Sequence, residues 1–219
     1  MAEITQMQAA LRGTSVFGNV ERDATNNSLV AQGGAPYTEM ARTGGIWNVM
    51  SAAVAPLVAI PTTTAIMEIF NNSGATSTPF VMEVVDLFLF HLLGTAAQHN
   101  LSIWAQVTTT KAAPTVGALA INSQSGRGLY TSTQSSRIIT AASTTVIATG
   151  WRPWGQPGPG AVSTALPGEA FSVSVEGKYY VPPGCSLCLQ SVDALATASS
   201  VQLGAAWNER VLSASNVIG

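Results

Sequence analysis

The chain has 219 residues, 9 Lys+Arg, 11 Asp+Glu and a formal net charge of −2, and only 9% of its residues are charged against 47% hydrophobic. An ordinary soluble domain carries about 25% charge, so much of this surface is expected to lie buried in an oligomer or a larger assembly. The near-neutral balance, with Lys111 and Lys178 the two lysines, argues against an electrostatic grip on nucleic acid, and no apolar run of about 18 residues reads as a transmembrane helix.

The N-terminus "MAEITQMQAALRG" lacks the basic flank and long apolar core of a signal peptide. Without a secretory route, the sequons at Asn26, Asn71 and Asn100 are expected to be unused. "ITQMQAALRG" reads as a short helix ended by Gly13. The rest of residues 1–45 is rich in turn formers and has no sustained period. Seven of the 20 charged residues fall here: Glu3, Arg12, Glu21, Arg22, Asp23, Glu39 and Arg42. A segment this poor in apolar residues cannot form a core alone, so residues 1–45 are expected to be an extended arm that grips a neighbour. Within it Arg22, Tyr37 and Arg42 are candidate contact residues.

From Ile46 onward the pattern is β. In "IWNVMSAAVAPLVAIP" Pro56 interrupts any long element, which predicts a strand, a kink and a second short strand. "AIMEIFNN" is a strand closed by an Asn-Asn-Ser-Gly turn. Residues 80–93 are apolar on both faces, and their Val and Phe content between Pro79 and Gly94 predicts a central strand. Glu83 and Asp86 are then expected on opposite faces. "LSIWAQVTT" and "RIITAASTTVIATGW" are further strands. Between them residues 109–136 form a long small-residue excursion that is expected to project from the domain.

"WRPWGQPGPG" at 151–160 follows, with three prolines, three glycines and the tryptophans Trp151 and Trp154 flanking Arg152. Little regular structure is expected there, so the two indoles and the guanidinium form a candidate interface, since Trp and Arg are enriched in interface hot spots. "AFSVSVEGKYYV" alternates strictly. Phe171, Val173, Val175, Tyr179 and Val181 share one face, and Ser172, Ser174, Glu176, Lys178 and Tyr180 share the other, as in a half-buried strand. Val181-Pro182-Pro183-Gly184 turns the chain into "CSLCLQSV". "VQLGAAWNERVL" closes the domain with Val201, Leu203, Ala205 and Trp207 aligned. Eight or nine short strands with little helix indicate a sandwich or barrel, and the expectation taken forward is an all-β, antiparallel jelly-roll-like β-sandwich over residues 46–219, preceded by the arm.

The side chains that carry chemistry are sparse. His91 and His99 are the two histidines, and neither has an acidic cluster beside it in sequence. Cys185 and Cys188 have Cys-x-x-Cys spacing, but residues three apart on a strand point to opposite faces, and no second pair exists to complete a zinc site. No convergent carboxylate pair, no Gly-x-Ser-x-Gly elbow and no strand-to-helix frame around "GRG" or "GPG" is present. The expectation is a protein that is not an enzyme and needs no metal or cofactor.

The C-terminal half runs as an alternating strand, then "YYVPPGCSLCLQSV", then a strand ending in "GAAWNERVL". Together with "TNNSLVAQGGAPYTEMARTGGIWNV" this resembles the jelly-roll capsid cement (decoration) proteins of tailed bacteriophages, cyanophage-type included. The resemblance implies a trimer on the capsid exterior that binds the major capsid protein and reinforces the shell, after assembly in the host cytoplasm. The alternatives are a head- or tail-fibre or receptor-binding virion protein, and a carbohydrate-binding β-sandwich module with Trp151 and Trp154 as a sugar platform.

Overall fold

A computed structural model describes residues 20–22, 28–30, 41, 44–73, 79–94, 98–99, 101–109, 119–123, 137–155, 160–161, 169–193 and 199–211. The chain divides into two units, residues 1–43 and 44–219. In the first, β1 (Val20–Arg22) pairs antiparallel with β2 (Ser28–Val30), with Val20 opposite Val30. The N-terminal helix reading, Tyr37 and Arg42 lie outside the described residues, and of Arg22 only the backbone is described.

The second unit is all-β. Its strands are β3 (Ile46–Met50), β4 (Thr64–Asn71), β5 (Phe80–Gly94), β6 (Gln98–His99), β7 (Leu101–Thr108), β8 (Ile121–Ser123), β9 (Ile138–Thr145), β10 (Arg152–Gly155), β11 (Gly160–Ala161), β12 (Glu169–Ser174), β13 (Tyr180–Val181), β14 (Ser186–Asp193) and β15 (Ser199–Val211). β6 and β11 pair with each other. The others form two antiparallel sheets packed face to face, one ordered β10-β7-β14-β4-β9 and one ordered β12-β5-β15-β3-β8, with β13 also on β5.

Set β8 and β9 aside, and count β12 with β13 as one strand. Eight strands remain, and they pair first with last, second with seventh, third with sixth and fourth with fifth. That order results when one long antiparallel hairpin is coiled into two sheets, the jelly-roll arrangement. β8 and β9 arise from the connection between its fourth and fifth strands, and each extends one sheet by an edge strand. Within the excursion at 109–136, Ile121–Ser123 does not project but pairs with β3, and most of the remainder lies outside the described residues. Its mostly small residues gave no sign of this three-residue strand.

Alternation builds the core. Val201, Leu203, Ala205 and Trp207 are all fully buried, as their spacing predicts. β5 lies between β15 on one side and β12 with β13 on the other, which makes it the central strand expected from its two apolar faces. It carries an extra residue, Val85, opposite the Ala206–Trp207 step of β15. A bulge of this kind inverts the side-chain parity beyond it. Glu83 opposes Asn208, and Asp86 opposes Ala206, so both carboxylates lie on the outer face and not on opposite faces as expected. The same bulge divides the strand predicted over 171–181. The N–H groups of Val175 and Glu176 both donate to the Val85 carbonyl, at 2.7 and 3.0 Å. The chain then turns through Glu176 at φ 51° and Gly177 at φ 73° before it rejoins β5 as β13. Burial still alternates across the break, with Val175 and Val181 buried and Glu176, Lys178 and Tyr180 exposed.

The sheets are stapled at their corners. Asn71, fully buried at the end of β4, donates from Nδ2 to the Phe80 carbonyl at 2.7 Å and the Val181 carbonyl at 2.8 Å. Its Oδ1 accepts from the Ser73 N–H at 3.1 Å. One amide thus joins β4 of the first sheet to β5 and β13 of the second. Along the other flank Arg137, just before β9, pairs with Glu209 of β15, and its guanidinium lies 4.5 Å from the centre of the Phe80 ring.

Candidate functional site

The segment singled out for its tryptophans is more regular than expected. Arg152–Gly155 form β10, the edge strand beside β7. Pro153 is tolerated there because an edge strand needs ladder donors on one side only, and the register shifts between Pro153 and Gly155. Arg152 and Pro153 are exposed, whereas Trp154 packs partly buried against the main core. Its ring lies 4.8 Å from that of Tyr179, tilted by 57°. The Tyr179 hydroxyl donates to the Ala105 carbonyl at 3.2 Å. Burial pushes the Tyr179 hydroxyl pKa above its ordinary value, opposed by the Trp154 indole and the charge of Arg152. That indole N–H is buried and meets no acceptor with good hydrogen-bond geometry.

Trp151 does different work. β9 and β10 lie at opposite edges of their sheet, so residues 146–151 must cross it. Gln106 donates from Nε2 to the Ile147 carbonyl at 3.0 Å, and the Val146 N–H donates to the Thr63 carbonyl at 2.8 Å. The Trp151 indole N–H donates to the Thr62 carbonyl at 2.7 Å. Its ring packs on a small cluster of Ala65, Val146 and Cys188, separate from the main core. Both tryptophans are therefore engaged within their own chain, and Arg152 is the exposed member of the predicted trio.

The two most exposed of the large apolar side chains among the described residues lie elsewhere. Residues 43–67 contain no charged side chain. After β3, Ser51 is held by Leu203, with N–H to carbonyl at 2.7 Å. Val54 then exchanges two backbone hydrogen bonds with Val201 of β15, at 3.0 and 2.8 Å. Leu57 next donates to Ser191 at 3.0 Å and accepts from Asp193 at 2.7 Å, both on β14. The predicted second short strand is thus two single bridges, one to each sheet, because Pro56 falls between them. This strap presents Val58 at 65% and Ile60 at 66% exposure, with Ala59 also exposed. Ile147 is 36% exposed, one residue beyond the Val146–Thr63 hydrogen bond. Sequence reasoning passed over this surface, although the signal was present as 25 uncharged residues with no amphipathic period.

The structure places the remaining candidates as follows. Cys185 belongs to the main core and Cys188 to the small cluster under Trp151, both buried and neither in a disulfide. They therefore face different surroundings, as the strand spacing predicts, and burial raises the Cys185 thiol pKa. His91 is buried, and only the backbone of His99 is described. On the outer face of β5, Glu83 pairs with Arg210 at 3.4 Å and accepts from Asn208 at 3.3 Å. Asp86 nearby is raised above 3.8 by burial, opposed by a hydrogen bond from Ser174 and reinforced by the charge of Glu176. Among the described residues, no group of three His, Cys, Asp or Glu side chains is placed to hold a metal ion, and no helix is long and apolar enough to cross a membrane.

No protein-family model matches the chain, and no curated protein matches it in sequence.

Proposed function

We propose that the chain is a virion structural protein, a capsid cement protein that binds the major capsid protein on the outside of a tailed-phage shell and acts as a trimer. The observation that carries this reading is the pinned, charge-free strap. Exposed apolar side chains on a strap tied to both sheets offer a surface that a partner can cover, and with 9% charge the chain has few charged groups for such contacts. The jelly-roll strand order and the resemblance of "YYVPPGCSLCLQSV" and "GAAWNERVL" to phage cement proteins supply the capsid context. In this reading the arm, with Arg22, Tyr37 and Arg42, straps a neighbouring subunit or the shell, and Arg152 is positioned to meet a partner carboxylate. The carbohydrate-module alternative gains nothing from Trp151 and Trp154, since both indoles are engaged within the chain.

The test is co-sedimentation of the purified protein with shells of the major capsid protein from the same particle, followed by a cryo-EM map of the decorated shell. Saturable binding with threefold density on the outer surface supports the proposal. Absence of binding, with the chain located instead in a fibre or tail of the particle, overturns it.

A further inference from the structure

We infer that the triplet Asn71-Asn72-Ser73 is an N-glycan acceptor only in the unfolded chain, and that folding and glycosylation at Asn71 exclude one another. The inference rests on the corner of the sandwich alone and is independent of the proposed function. The triplet has the Asn-x-Ser pattern that an asparagine-linked glycan requires, with Asn72 in the middle place where only proline is forbidden. Transfer to such a triplet forms one bond, from C1 of the first sugar to the side-chain amide nitrogen. The bond broken joins that C1 to a phosphate oxygen of the donor, an oligosaccharide carried on a lipid pyrophosphate. The amide gives up one of its two protons.

In the folded chain the polar side-chain atoms of that acceptor are already in use. Asn71 and Ser73 are both completely buried. The two amide hydrogens of Asn71 go to the Phe80 and Val181 carbonyls, at 2.7 and 2.8 Å, and a side-chain amide has only two to give. Asn71 Oδ1 accepts from the Ser73 N–H at 3.1 Å. The Ser73 hydroxyl, the other group that defines the triplet, accepts from the Phe80 N–H at 3.1 Å and donates to the Phe80 carbonyl at 3.3 Å. The backbone is held as well. Asn71 donates to Cys185 at 2.9 Å and accepts from Gly184 at 2.7 Å, and Asn72 donates to Arg137 at 2.8 Å. A transferase therefore meets no available amide and no loose segment. The reverse exclusion follows from the same contacts. A glycosylated amide keeps one hydrogen, so one of two buried carbonyls loses its donor. The sugar, a bulky surface group, would have to lie at the meeting of β4, β5 and β13, where Asn71 has no exposed surface. The corner that ties the two sheets then cannot close.

The test presents the full-length protein to an oligosaccharyltransferase and its lipid-linked donor, either native or unfolded in urea and diluted directly into the reaction. A peptide of residues 66–78 serves as the acceptor that cannot fold. Mass spectrometry reads occupancy at Asn71, with Asn26 and Asn100 read separately in the same digests. The peptide and the unfolded chain are expected to be modified at Asn71, and the native chain about a hundredfold more slowly at that site. After refolding, the protease-resistant fraction is expected to be depleted about tenfold in the Asn71 glycan relative to the input. An unfolded chain that escapes modification while the peptide accepts it has folded ahead of the enzyme, which also supports the inference. A native chain modified at Asn71 as fast as the unfolded one overturns it, as does a protease-resistant fraction that keeps its full share of the Asn71 glycan. A peptide that is not modified overturns it too, because the triplet is then no acceptor in any state.

Discussion

Asn71 shows how much one side chain can hold. Its sequence context reads as a turn and a glycosylation sequon, yet the amide is completely buried and supplies donors to carbonyls on two other strands. Asn71→Ala leaves the Phe80 and Val181 carbonyls short of a donor in the interior, which should cost about 2–3 kcal/mol, measurable by urea denaturation. Trp154 is bound to its own core through Tyr179, so Trp154→Ala should lower the stability of the separated subunit by about 3 kcal/mol. An unchanged melting temperature would return the indole to the interface. Asp86 gives a dependence on pH. Its folded pKa lies above 3.8, from burial first, with Glu176 adding to the shift. Between the unfolded and folded values the native state holds more protons than the unfolded one, so stability falls as pH rises through that window. Asp86→Asn should therefore stabilise the protein near neutral pH and lose its advantage as the solution is acidified below the unfolded value. Denaturant midpoints of the two proteins at the two ends of the window check this. Cys185 and Tyr179 are raised as well. By the same sign they add a loss of stability as pH rises above the ordinary thiol and phenol values.

At the scale of elements, the two sheets close where β10 meets β12, and a glycine makes the closure possible. Gly155 sits at φ 146°, and a Cβ placed there would lie 2.6 Å from Cγ2 of Val173. Gly155→Ala therefore combines backbone strain with a steric clash and should cost about 2–4 kcal/mol, read as a lowered denaturation midpoint. Gly204 in β15 serves close approach alone, since a Cβ there would lie 2.0 Å from the Phe88 ring. Sequence pattern located β4, β5, β7, β14 and β15 because each buries a periodic or doubly apolar run. It missed what depends on another strand. The Val85 bulge is defined only against β15, so neither the shared face of Glu83 and Asp86 nor the turn at Glu176 could be read from local alternation. β8 and β10 were missed for a related reason. Short edge strands with Pro, Ser and Asn are made by the neighbour they pair with, and their own side chains carry little propensity. For the candidate site, sequence pattern singled out Trp151, Arg152 and Trp154 but gave no account of how the indoles pack, because residue type alone does not distinguish an indole that meets a partner from one that closes its own sheet.

The molecule as a whole separates a unit at residues 1–43 from the sandwich at 44–219, and the division allows folding and assembly to be tested apart. All the corner ties described here, Asn71 to Phe80 and Val181, Arg137 to Glu209 and Trp151 to Thr62, lie within the second unit. So do both apolar clusters. A chain beginning at Gly44 should therefore fold, with the β-type far-UV dichroism of the full-length protein and a single cooperative melt. The strap and the rest of the sandwich surface lie in that same unit, so the truncated chain should still associate if subunits meet through the sandwich. The full-length protein should scatter as a particle of three times the 22.6 kDa of one chain, and the truncated one as three of its own shorter chains. Retention on shells should behave differently. The arm carries seven of the 20 charged residues, and in the proposed function it supplies spread contact that adds through multivalency. Loss of shell retention with the oligomer intact assigns the arm to the capsid contact. Loss of the oligomer on truncation would instead make the arm the link between subunits.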